Sequence, residues 1–104
     1  MGGLPVDPDL FHMHLEYGRR IWGMNPQTAV FFGIGMCWFA DHHIHSGMSY
    51  EDALLAVEVG LSQYLTERPD LAHGVDVRKL HKGIGVSAVN LVDAGERAHA
   101  RGRA

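Results

Sequence analysis

Residues 38 to 47 read WFADHHIHSG, which places Asp41, His42, His43 and His45 within five positions behind a run of aromatic side chains. Imidazole nitrogens and carboxylates are ligands for a divalent transition metal such as zinc, and clustered imidazoles also take up protons together between about pH 5 and 7. His42 and His45 stand three apart and Asp41 and His45 four apart, so either pair could present two ligands from one face of a helix. Upstream, His12 and Glu16 repeat the spacing of four, with His14 between them. Two helices that each carry a histidine and a carboxylate one turn apart match the donor sets of metal sites in bundle cores.

The same stretch has a structural explanation. A histidine in the last turn of a helix donates to carbonyls that have no partner within the helix, and once protonated it suits the negative end of the helix dipole. The Glu-x-x-His spacing of di-iron bundles is absent, as are HExxH and Cys-x-x-Cys. His12 and Glu16 fall on the polar side of their helix, whereas His42 and His45 continue an apolar side, so the two pairs need not face each other. We read the cluster as structural, with no cofactor. The alternative is a metal-binding bundle in which Asp41, His42 and His45 are joined by His12, His14 or Glu16, and a pH-sensitive interface ranks third.

Other chemistry finds no footing. The segment GIGVSA, residues 83 to 88, has the Gly-x-Gly-x-x-Ala form of a dinucleotide fingerprint, but only VRKLHK precedes it and too little chain follows for a βαβ unit. No serine stands in a nucleophile-elbow setting. Cys37 projects to the opposite side of its helix from His42, so the two make no nucleophile-base pair. The expectation is a protein that is not an enzyme.

The elements that would hold these residues are marked by their caps. Asp7-Pro8 and Asn25-Pro26 each pair an N-cap side chain with proline at the first helical position, where its missing N–H costs nothing. They predict helices over about 8–22, closed by Gly23, and about 26–45, closed by Ser46-Gly47. The first has an apolar line of Leu10, His14, Tyr17 and Ile21; the second is apolar almost all round, which suits a helix in the middle of a fold. Ser49 and Asp52 predict a capped third helix to about residue 67, and a connector leads to a fourth over about 77–99. Gly83, Gly85 and Gly95 in that last helix suggest a close helix approach or a kink.

The fold class expected is therefore all-α, a small four-helix bundle-like domain with a central, nearly all-apolar second helix. At 104 residues, 46% hydrophobic and 20% charged, the chain has room for one domain, with residues 1–6 and about 100–104 expected to be flexible. The N-terminal MGGLPVDPDLF lacks the pattern of a signal peptide, the longest apolar run falls short of the roughly 20 residues that span a bilayer, and the single Cys37 has no disulfide partner. These features predict a soluble cytoplasmic protein with no membrane association.

The net charge of −3 is uneven: residues 1–75 carry three arginines against nine acids, while residues 76–104 carry six Lys or Arg against three. Arg97, Arg101 and Arg103 in the terminal ERAHARGRA could meet an acidic partner or nucleic acid, but no aromatic residue lies among them to stack on bases. Nucleic acid is the less favoured partner. A helix apolar on every side asks for more cover than three amphipathic neighbours provide unless they enclose it, so self-association as a dimer or higher homo-oligomer is expected. The function expected is that of a small helical interaction module, an accessory protein acting on a macromolecular partner or small ligand.

Overall fold

The computed structural model describes residues 7–102, with side chains through residue 97. The described chain is all α-helical in character, with no strand: α1 (Pro8–Arg20), α2 (Pro26–Ala40), a π-helical turn (Asp41–His45), α3 (Tyr50–Glu67), the single turn α4 (Pro69–Ala72) and α5 (Val77–Gly102). None of the described helices is long and apolar enough to cross a membrane.

The caps form where the sequence places them. The Asp7 carboxylate accepts from the N–H groups of Asp9 and Leu10, Asn25 Oδ1 from Thr28 N–H at 2.8 Å, and Ser49 Oγ from Asp52 N–H at 3.1 Å. Each satisfies a donor that helix geometry leaves free. Asp76 caps α5 in the same way by accepting from Lys79 N–H at 3.1 Å. The connectors after α1 and after the π turn share one design. Gly23 (φ 65°) and Gly47 (φ 73°) take the left-handed conformation, and a methionine N–H then donates back six residues, Met24 to Gly18 and Met48 to His42, both at 2.9 Å. The next residue is already the following N-cap.

α2 lies at the centre. α1 runs antiparallel to it, and the two close up by setting a ring on a glycine in each direction: Phe32 on Gly18 and Phe11 on Gly33. α3 is also antiparallel, with Phe39 against Tyr50 near one end and Phe31 against Tyr64 near the other. α5 runs parallel to α2, because the long connector returns the chain to the start of α2 before α5 begins. There Asn25 Nδ2 donates to the Gly74 carbonyl, Gln27 Nε2 to the Leu71 carbonyl, and Asp76 N–H to Thr28 Oγ1. The core is Phe32, Met36 and Phe39 from α2, Val57 and Leu61 from α3, and Leu80 and Ile84 from α5, all fully buried.

Three expectations need correction. The second helix does not run as an α-helix to residue 45, because the backbone widens after Ala40 and Ser46 N–H reaches back five residues to Asp41. The connector after residue 67 contains the extra turn α4, started by Pro69. Ile21, assigned to the apolar line of the first helix, is 66% exposed, since α1 ends at Arg20 and the chain turns away from α2. Of the three glycines in the last helix only Gly83 makes a close approach, to Met24 and Phe32. The segments expected to be flexible lie mostly outside the described residues, although α5 continues to Gly102.

Candidate functional site

The π turn decides how the Asp41–His45 cluster is presented. Bonding five residues apart puts more than 3.6 residues into each turn, so His42 and His45, three apart, no longer lie one turn above each other. His43, which belongs to neither ligand-spaced pair, is the best anchored. Its Nδ1–H donates to the Met48 carbonyl at 2.8 Å, and its ring stacks on Phe39 at 5.4 Å with Tyr50 edge-on at 6.3 Å. It thereby holds the Gly47-Met48 connector against the end of α2. Asp41 and His42 are half-buried and His45 is exposed.

His12 and Glu16 lie on the exposed side of α1, and Glu16 is engaged with Arg20 at 3.0 Å. Among the described residues no three His, Cys, Asp or Glu side chains come together in a way that could hold a metal ion. Asp41, His42 and His45 on the π turn are thus not joined by His12 and Glu16 into one donor set.

The positive charge of the C-terminal quarter is divided between the two ends of α5. Arg78, Lys79 and Lys82 surround a hollow beside Trp22 at its start, whereas Arg97 is exposed about 22 Å further along. Arg101 lies in the last turn of α5, and Arg103 lies outside the described residues.

A cleft that the sequence did not announce lies between α1 and α5. Both helices pack on α2 and leave between them a space of about 230 Å³ lined by Met13, His14, Tyr17, Ser87, Asn90, Leu91 and Ala94. His14 is 6% exposed and Ser87 4%. The His14 ring meets Phe32 edge-on at 5.6 Å, and its Nδ1–H donates to the Leu10 carbonyl at 3.0 Å, which leaves Nε2 as an acceptor. Ser87 Oγ is buried without a hydrogen-bond partner. Helical spacing places His14 on the buried side of α1; Ser87, which lines the same cleft, is more than seventy residues away and carries no local signal.

Burial lowers the pKa of His14 below 6.5, outweighing the opposing hydrogen bond to Leu10, so the ring is neutral at neutral pH. On acidification the unfolded chain takes up this proton at its ordinary value while the folded chain resists it. The stabilisation is complete above about pH 6.5 and is lost as pH falls towards the lower folded value, with a slope approaching about 1.4 kcal/mol per pH unit. Urea unfolding between pH 7.5 and 5.5 should show a loss in the wild type that His14→Gln largely lacks; equal losses in the two proteins would contradict a neutral buried His14. Cys37 is also buried, and desolvation raises its pKa, which disfavours the nucleophilic thiolate.

Compared with models of protein families, with curated proteins and with solved structures, the chain matches none.

Proposed function

We propose that this protein is a non-enzymatic helical interaction module that works as a homodimer, joined through the outer side of α2. The carrying observation is the strip Val30, Ile34 and Trp38, one turn apart along the single side of the central helix that α1, α3 and α5 leave uncovered. Val30 is 37% exposed and the other two are half-buried. Trp38 lies over Gly60 of α3, and the partly exposed Tyr64 one turn further on extends the apolar surface. A continuous apolar strip on the most hydrophobic helix of a small domain suits a two-fold interface, in which the same side chains meet their own copies. The buried, poorly ionised thiol of Cys37 fits both a non-catalytic role and a reducing, cytoplasmic setting.

Native mass spectrometry of the wild-type protein at micromolar concentration should give the dimer mass with no added metal. Ile34→Glu should shift it to the monomer with its helical circular dichroism intact, because a carboxylate facing its own copy is both desolvated and repelled. A wild type that stays monomeric, or an Ile34→Glu protein that stays dimeric, would overturn the proposal. A stoichiometric metal mass would revive the alternative built on Asp41, His42 and His45.

A further inference from the structure

We propose that the cleft between α1 and α5 is a binding site for a small, neutral, largely apolar molecule carrying one hydroxyl group, of about the size of a phenol. This inference does not depend on the dimer, since the cleft opens between α1 and α5 and the Val30–Ile34–Trp38 strip lies elsewhere on α2.

The volume limits the size of the ligand. At about 230 Å³ the space is smaller than the roughly 300–1,000 Å³ of pockets that hold drug-sized molecules, so it suits a single ring or a short branched chain. The lining sets the polarity. Met13, Leu91, Ala94 and the Tyr17 ring provide apolar walls, and none of the lining residues is Lys, Arg, Asp or Glu. An anion would find no countercharge there, and a cation no carboxylate.

Two buried polar groups define the remaining requirement. Ser87 Oγ, in a residue 96% buried, has no partner in the protein. His14 has committed Nδ1 to its own helix, and Nε2 is the ring's one remaining hydrogen-bonding atom. A hydroxyl answers both, because it donates its proton to an imidazole nitrogen and accepts one from the serine once rotation about the Ser87 Cα–Cβ bond turns Oγ, which is sealed from solvent as it stands, toward the cleft. A hydrocarbon of the same shape answers neither. The exposed, unbranched Met13 at the rim can move aside for entry.

The test titrates phenol, toluene and benzoate into the full-length protein and follows the backbone amide signals by NMR. Phenol should bind one-to-one with a Kd of about 1 mM or tighter, moving the signals of Ser87, Leu91 and Ala94. Toluene should bind at least about fivefold more weakly, because it leaves the serine and histidine unpaired, and benzoate should not saturate. Ser87→Ala, a small change that the fold accommodates, should weaken phenol by removing one of its two hydrogen bonds, leave it tighter than toluene because His14 Nε2 still accepts its proton, and leave toluene no weaker. Ala94→Leu, at an exposed position, should fill the cleft and remove both.

The proposal fails if phenol does not saturate, if toluene matches phenol, if benzoate binds as well as phenol, or if phenol binding survives Ala94→Leu. Ile34→Glu should bind phenol as the wild type does, so loss of the dimer and loss of the cleft are read separately.

Discussion

Replacing Phe32 with alanine is expected to cost about 3–5 kcal/mol, a large part of the roughly 5–15 kcal/mol that holds a domain of this size together. Phe32 is fully buried at the point where three helices meet. Its ring lies against Gly18 of α1 and Gly83 of α5, and His14 meets it edge-on. Truncation removes the transfer free energy of the ring and leaves a cavity. The two glycines facing that cavity have no side chains to extend into it, and α2 is held by neighbours on three sides. The midpoint of urea unfolding should fall by more than about 1 M, given slopes of about 1–3 kcal/mol per M. A loss below about 1 kcal/mol would mean that α1 and α5 collapse inwards and that the glycine contacts are looser than described. The same variant should weaken phenol binding, because the His14 ring that lines the cleft loses the Phe32 ring it rests against.

A pair of glycine substitutions is expected to change stability in opposite directions although the chemistry is identical. A Cβ at Gly33 would stand 2.8 and 2.9 Å from ring carbons of Phe11 and 3.2 Å from its carbonyl oxygen. The ring can swing, but the carbonyl belongs to the backbone of α1, so relief requires the two helices to separate. Overpacking of this kind costs about 1–3 kcal/mol, against a helix-propensity gain of about 1 kcal/mol for glycine to alanine. Gly33→Ala should therefore lower stability by up to about 2 kcal/mol. At Gly85 a Cβ would meet nothing within 4 Å, and only the propensity gain operates. Gly85→Ala should raise stability by about 0.5–1 kcal/mol. Urea midpoints of the two variants measured side by side decide the matter, and shifts of the same sign would refute the helix contact assigned to Gly33.

The helices themselves were legible in the sequence because the forces that begin and end them are local. Asp7-Pro8, Asn25-Pro26 and Ser49 act on N–H groups two or three residues away, and Gly23 and Gly47 supply a backbone conformation that their own lack of a side chain permits. The central position of α2 was legible for a related reason. A helix apolar on nearly every side has a lower free energy when surrounded, whichever neighbours surround it.

Only the tertiary structure decided which of several equivalent residues matter. Gly33, Gly83 and Gly85 look alike in sequence, but the first two have a neighbour pressed against them and Gly85 has none. His42 and His45 have the better ligand spacing, yet the π turn rotates them apart, while His43 takes the structural role through Met48 and Phe39. The cleft depends on His14 and Ser87, which line one space because α1 and α5 both pack on Phe32. Sequence determines what each turn of chain prefers over a few residues; which side chains share a space depends on how distant helices pack, and no local preference encodes that.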